Sequence, residues 1–205
     1  MVDHLRKQGY GGIRNMPHKF HEIIAKVLDI NVAPGRFVWD AACGGSQWVS
    51  LFREPAKSRS NRFACADDAL IIDSSVRIVL EIEEAGTNGF LPARIAGKLT
   101  TSALCRYFIP RGQTQAVPFG EHVTFLQVIN SAGLQPGSRK LDQYVNLHRA
   151  IQGLMPLGSI TEYRLIAGAA DDFKSGNAGD ELRRAVKSVV STLRHLRFES
   201  HSSSA

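Results

Sequence analysis

Acidic side chains interrupt two neighbouring apolar segments of this chain, and their spacing is the clearest sign of chemistry in the sequence. Asp68 lies at one end of the first segment, and Glu81 and Glu83 lie at the end of the second. Because side chains alternate along a β-strand, Glu81 and Glu83 should point to the same face. A tight turn at 73–75 would bring Asp68 beside Glu81. Carboxylates gathered in this way repel one another unless a cation joins them, and Mg²⁺ or Mn²⁺ suits such oxygen ligands.

The charges of the chain are unevenly distributed around this acidic segment. The formal net charge is +6 over 205 residues, with the acidic residues concentrated at 67–84 and basic residues in the preceding loop and in the last predicted helix. A basic body around an acidic focus suits a polyanionic substrate such as double-stranded DNA. The residues expected to contact DNA phosphates are Arg53, Lys57, Arg59, Arg62 and Arg94.

Hydrophobic periodicity predicts the elements that must position these residues. Helices are predicted at 19–29, 92–108 and 141–151 and over a final apolar stripe from Leu182 to Leu196, and strands at 36–40, 62–72, 76–84, 123–129 and 160–167. This order predicts an α/β fold, a three-layer αβα sandwich with a mixed central sheet. We expect a flexible N-terminal arm over 1–18, a single domain over 19–198 and a disordered tail over 199–205.

The cysteines and histidines give no sign of a structural metal or a disulfide. Cys43, Cys65 and Cys105 are odd in number and form no CxxC motif, so we expect reduced thiols in a cytoplasmic protein. His18 and His21 are close in sequence, but no Cys or second His pair completes a zinc site around them. The N-terminus does not read as a signal peptide, and no apolar run reaches membrane-spanning length, so we expect no membrane partner.

The order of elements and the position of the acidic motif resemble the PD-(D/E)XK nuclease superfamily, the fold of many restriction endonucleases. The core of that superfamily is a helix, a three-stranded antiparallel meander, a helix and a further strand, and the likeness covers about residues 19–170. Residues 79–108 also resemble uncharacterised restriction-endonuclease-like proteins. The resemblance implies a restriction-endonuclease-like core and Mg²⁺-dependent hydrolysis of DNA phosphodiester bonds. A symmetric double-strand cut would further require a homodimer.

The resemblance also implies the metal ligands. The acidic residue of the superfamily directly precedes a small-then-apolar run, which favours Asp68 over the adjacent Asp67, because neighbouring strand residues face opposite ways. Asp68 and Glu81 would then hold the metal. Several members add a carboxylate from the first helix, and Glu22 is the candidate here.

One position departs from the motif of the superfamily. Glu83 stands where the superfamily has lysine. Some restriction enzymes use glutamate at that position, and its carboxylate can orient or deprotonate the attacking water. Lys98, in the helix that follows, can instead supply the cation for the scissile phosphate. Asp68, Glu81, Glu83 and Lys98 are therefore the expected catalytic residues.

Two other functions remain open from the sequence. Residues 37–45 are similar to the first motif of S-adenosylmethionine-dependent methyltransferases, with Asp67 at about the distance of a ribose-binding acid. The glycine turn at 44–45 lacks the spaced glycines that let a backbone approach such a cofactor. The third reading is a non-catalytic DNA-binding protein that keeps the nuclease fold without its lysine.

Overall fold

The structure is a computed structural model that describes residues 19–85 and 92–202, with side chains described as far as Leu193. The predicted arm over 1–18 and residues 203–205 of the predicted tail lie outside these ranges. The elements are α1 (Lys19–Val27), β1 (Arg36–Trp39), β2 (Val49–Phe52), β3 (Arg62–Ala66), β4 (Asp68–Ile72), β5 (Ser75–Glu84), α2 (Pro92–Ala103), β6 (Tyr107–Phe108), β7 (Val117–Asn130), α3 (Lys140–Gln152), β8 (Glu162–Gly168), α4 (Ala170–Ser175) and α5 (Asn177–Ser202).

The predicted α/β fold with a mixed sheet is confirmed. Strands β1, β4 and β5 pair antiparallel, and β5 then pairs in parallel with β7, which pairs in parallel with β8. The first part of the long strand β7 pairs with β6, which leads on to β2 and β3. One apolar cluster joins the sheet to α2 and α3, and a second joins it to α1, α4 and α5. Helices therefore cover both faces of the sheet.

Several predicted boundaries differ from the structure. The strand predicted over 62–72 is two strands, β3 and β4, separated by a bend at Asp67. The backbone N–H of Asp67 donates to Leu80, and its carbonyl accepts from Asp40. The chain changes strand partners at this bend, and the apolar residues on both sides of it gave no sign of that change. Strands β2 and β6 and helix α4 were not predicted, and α5 runs to Ser202, into the segment predicted to be a disordered tail.

The predicted hairpin turn is confirmed between β4 and β5. Asp73 and Ser74 have φ angles of 53° and 56°, the left-handed conformation that a two-residue type I′ turn requires at both positions. The turn fixes the pairing of the two strands, with Asp68 opposite Leu80. This register decides which carboxylates share a face of the sheet.

Candidate active site

Glu81 and Glu83 lie on the sheet face that α2 covers. Val79 lies two residues before Glu81 in the strand, and it packs into the apolar cluster that includes Ile95 and Leu99 of α2. Alternation along β5 places the two glutamates on this side as well, as predicted. Glu81 is only 2 % exposed and Glu83 is also buried. Two carboxylates held this far from water need a positive partner.

Lys98 of α2 is that partner. Its ammonium nitrogen lies 2.7 Å from Oε2 of Glu81 and 2.5 Å from Oε1 of Glu83. One helical turn earlier, the guanidinium of Arg94 lies 3.3 Å from Oε2 of Glu83. Although burial acts to lower it, the pKa of Lys98 is raised above its usual range by Glu81 and Glu83. The structure thus brings Glu81, Glu83 and Lys98 together and adds Arg94 at the rim.

Asp68 does not join this group, and its expected approach to Glu81 is wrong. Asp68 is paired with Leu80, whose side chain packs in the cluster on the α1 and α5 side of the sheet. The side chain of Glu81 must point to the opposite face. Asp68 is fully buried, and neither of its oxygens has a hydrogen-bond partner among the described residues. Burial raises its pKa well above the usual range.

Asp67 takes the place that was predicted for Asp68. At the bend between β3 and β4, its Oδ2 accepts a hydrogen bond of 2.7 Å from the backbone N–H of Ile82. Its carboxylate also interacts electrostatically with that of Glu81. A bend releases Asp67 from the strand alternation on which the sequence argument depended. Asp67 therefore joins Glu81 and Glu83 in one acidic group, while its other oxygen is directed towards His21 of α1.

Burial perturbs the ionisation of this group. It raises the pKa of Glu81 from 4.5 to about 8, against the opposing effect of Lys98. Burial also raises the pKa of Asp67, while the hydrogen bond from the backbone N–H of Ile82 acts to lower it. A cation bound between Asp67 and Glu81 would favour the ionised form of both carboxyl groups.

A histidine of α1, not the predicted Glu22, approaches this carboxylate group. His21 Nδ1 lies 3.6 Å from Asp67 Oδ1 and 3.6 Å from the thiol sulfur of Cys43. Glu22 is exposed and lines an open pocket between α1 and β1, to which Phe37, Trp39 and Cys43 also contribute. The expectation that no cysteine accompanies His21 is wrong, because Cys43 reaches it from 22 positions away through the fold. No spacing in the sequence signals this contact.

Three of the predicted DNA-contacting residues line one open cleft of about 860 Å³ beside β2 and β3. They are Lys57, Arg59 and Arg62, and the structure adds Arg111 and the 59 % exposed ring of Trp48. No acidic residue is among the described residues that line this cleft.

The other two predicted contacts lie elsewhere. Arg53 donates to the carbonyl of Leu104, at 3.4 Å, and is not among the residues that line the cleft. Arg94 lies at the carboxylate group instead, through its contact with Glu83.

No protein-family model matches this chain, and no curated protein and no solved structure matches it either. Within residues 19–85 and 92–202, none of the helices combines the length and the apolarity that crossing a bilayer requires.

Proposed function

We propose that this protein is a metal-dependent DNA endonuclease of restriction type, with Asp67, Glu81, Glu83 and Lys98 at its active site. The observation that carries the proposal is the contact of two buried carboxylates, those of Glu81 and Glu83, with the ammonium group of Lys98, with a third carboxylate, that of Asp67, close enough to interact electrostatically with all three groups. Perturbed ionisable groups packed against one another are typical of catalytic sites. A basic cleft in the same domain supplies the complementary charge for a nucleic acid.

The arrangement of elements supports a restriction-endonuclease-like core. Helix α1 is followed by the antiparallel strands β1, β4 and β5, then by α2, and then by β7 in parallel with β5. This is the order of the superfamily core, with β2 and β3 inserted between the first and second strands of the meander. Asp67 lies at the start of the second strand, and Glu81 and Glu83 lie on the third.

The residues on this face fit a hard divalent cation. Asp67 and Glu81 offer oxygen donors only, and burial raises the pKa of each, so a cation between them would favour the ionised form of both. They would hold Mg²⁺ or Mn²⁺ together with the backbone carbonyl of Ile82. When bound, such an ion supplies Lewis-acid stabilisation of the charge that develops on a phosphate.

The remaining groups act on the substrate and the attacking water. Lys98 is held in place by two carboxylates and keeps its charge, so it can stabilise the negative charge of a scissile phosphate. Glu83 is positioned to orient a water molecule or accept its proton. Arg94, more exposed and in contact with Glu83, is placed to contact a neighbouring phosphate.

The DNA would extend from this site across the basic cleft. Lys57, Arg59, Arg62 and Arg111 provide contacts to the phosphate backbone that do not depend on base sequence. The exposed ring of Trp48 adds a surface on which a base can stack. A double-strand cut at a symmetric site would use two copies of the chain.

The geometry does not favour the methyltransferase alternative. Strand β1 is antiparallel to its neighbour β4, whereas a dinucleotide-type cofactor site needs a parallel crossover after the glycine turn. The backbone N–H groups of the turn are already used within it, because those of Ala42 and Cys43 donate hydrogen bonds to Asp40 Oδ1. Gly45 is packed against the carbonyl of Trp39, so it serves the turn itself.

A plasmid-nicking assay with Mg²⁺ or Mn²⁺ tests the proposal. We expect the wild type to convert supercoiled plasmid to nicked or linear DNA, and Asp67→Asn and Glu81→Gln to abolish this conversion. Asp68→Asn is the matched control, because it makes the same chemical change one residue away on the other face. It should retain cleavage. Metal-independent DNA binding without cleavage by the wild type would instead favour the non-catalytic DNA-binding function. Cleavage lost in Asp68→Asn but kept in Asp67→Asn would contradict the assigned site.

A further inference from the structure

We propose that His21, Cys43 and Asp67 form a second metal site, which takes a borderline divalent cation such as Zn²⁺. The three residues come from α1, from the 3-10 turn Ala41–Cys43 and from the bend between β3 and β4. One ligand atom from each lies within 4.8 Å of the other two. The inference goes beyond the proposed nuclease site, with which it shares Asp67 alone.

The distances fit a shared cation better than a chain of hydrogen bonds. Both the sulfur of Cys43 and Oδ1 of Asp67 lie 3.6 Å from the same ring nitrogen, Nδ1 of His21. A single ring nitrogen carries one proton or one lone pair, so it cannot make good hydrogen bonds to both groups. Tetrahedral Zn²⁺, with sulfur at about 2.3 Å and nitrogen at about 2.0 Å, holds its ligand atoms about 3.5 Å apart.

The surroundings of the thiol are rich in carboxyl groups. Asp67, Asp40 and Asp68 all act electrostatically on Cys43. Asp68 is fully buried, and among the described residues no cationic side chain contacts its carboxyl group. Asp68 lies on the sheet face covered by α1, the same face as Cys43. A dication held by His21, Cys43 and Asp67 would neutralise part of this charge.

The donor set selects the class of metal. Thiolate and imidazole are ligands of Zn²⁺ and similar transition metals, whereas Mg²⁺ prefers oxygen donors alone. On binding, Cys43 releases its thiol proton to solvent and binds the metal as a thiolate. Three protein ligands leave a fourth position for water. Cys43 lines an open pocket of about 570 Å³, which provides a route for the ion.

The test uses the full chain, stripped with a chelator and then titrated with Zn²⁺ alone or with Co²⁺ as a spectroscopic substitute. We expect one equivalent of Zn²⁺ per chain, and a thiolate-to-cobalt charge-transfer band in the Co²⁺ form. Cys43→Ser and His21→Gln should each lower zinc affinity at least about tenfold. Cys65→Ser is the matched control, because it removes another free thiol that is not in the cluster. It should leave both the affinity and the cobalt band unchanged.

Glu81→Gln separates this inference from the proposed nuclease. It changes the carboxylate group on the α2 face but none of the three zinc ligands, so the cobalt band should persist while Mg²⁺-dependent cleavage is lost. A wild type that shows the cobalt band but does not cleave DNA would retain the zinc site and reject the nuclease. A wild type that cleaves DNA without binding Zn²⁺ would support the proposed nuclease and reject the zinc site.

A measurement on the wild type guards against a variant that does not fold. Zn²⁺ should protect Cys43 from alkylation, with the modified cysteine identified by mass spectrometry, while the alkylation of Cys65 is unchanged. The inference is overturned if the wild type binds no Zn²⁺, if the folded Cys43→Ser variant keeps the cobalt band, or if Zn²⁺ leaves the alkylation of Cys43 unchanged.

Discussion

The ammonium nitrogen of Lys98 lies 2.7 Å from Oε2 of Glu81. The two residues are 17 positions apart in the sequence, Lys98 in helix α2 and Glu81 in strand β5. Glu81 is almost completely buried, whereas the side chain of Lys98 keeps 32 % of its exposure. The carboxylate therefore depends on the lysine more than the lysine depends on the carboxylate. In the proposed active site, this asymmetry leaves the ammonium group of Lys98 accessible to a substrate phosphate from the solvent side, while Glu81 holds the ammonium group in position.

Removing Lys98 should weaken both stability and cleavage. Losing one partner of a fully buried ion pair costs about 3–5 kcal/mol, and the partial exposure of Lys98 reduces this to about 1–3 kcal/mol for Lys98→Ala. Urea unfolding at about pH 9, above the pKa of Glu81, would measure the loss. Lys98→Arg is the control, because it keeps a positive charge near Glu81 and Glu83 and should recover most of the stability. Equal stability of wild type and Lys98→Ala would show that the pair contributes nothing to the fold.

In the metal-free protein, the free energy of unfolding of the wild type should decrease as the pH rises, and Glu81→Gln should abolish this decrease. The pKa of Glu81 is raised from 4.5 to about 8, chiefly by burial. Between these two pH values the folded chain keeps a proton that the unfolded chain has released, so the free energy of unfolding falls as pH rises. Across this window we expect the wild type to lose a few kcal/mol relative to Glu81→Gln. Parallel pH profiles of urea unfolding for the two proteins would contradict the assignment.

Strand alternation was enough to predict that Glu81 and Glu83 share a face, because both residues lie in one uninterrupted strand. The prediction that Asp68, rather than Asp67, lies beside Glu81 was wrong for a local reason. The sequence reads as one strand from 62 to 72, and the bend that frees Asp67 is imposed by hydrogen bonds to Leu80 and Asp40, which are distant in sequence. A pattern rule cannot detect a change of strand partners when both halves are themselves strands.

The contact between His21 and Cys43 could not be predicted from the sequence, for a different reason. Their approach depends on how α1 packs over the turn that follows β1, a tertiary arrangement with no local spacing rule. The basic cleft was partly predicted, because Lys57, Arg59 and Arg62 are close in sequence. Arg111 joins them through the pairing of β2 with β6, which no local sequence pattern predicts.

Neutralising the cleft should weaken DNA binding in a salt-dependent way. Arg62→Ala and Arg111→Ala should each lower affinity for duplex DNA regardless of its sequence and reduce the slope of log affinity against log salt by about 1. Fluorescence anisotropy over a series of salt concentrations would measure this slope. The control is Lys174→Ala on α4, an exposed cation that is not among the residues lining the cleft. An unchanged slope in both cleft variants would place the DNA elsewhere on the molecule.

Two adjacent glycines in the turn that holds Cys43 should respond very differently to alanine. A Cβ on Gly45 would lie 1.9 Å from the backbone carbonyl oxygen of Trp39, whereas a Cβ on Gly44 would have no atom within 4 Å. Gly44 has a φ of 86°, so Gly44→Ala should cost about 1 kcal/mol through backbone strain alone. Gly45→Ala must displace the backbone of Trp39, and we expect a loss of at least about 3 kcal/mol, since the conflict is with main-chain atoms.

Thermal unfolding of the two variants measures this difference directly. Because the backbone N–H of Gly45 donates to the carbonyl of Asp40, which caps the start of the 3-10 turn that carries Cys43, Gly45→Ala should reduce zinc affinity in any fraction that remains folded, and Gly44→Ala should reduce it much less. The comparison of the two variants therefore tests whether the conformation of the turn positions Cys43, the proposed zinc ligand. If Gly45→Ala proved as stable as Gly44→Ala, the close packing of this turn against β1 would be wrong, and with it the placement of Cys43 beside His21.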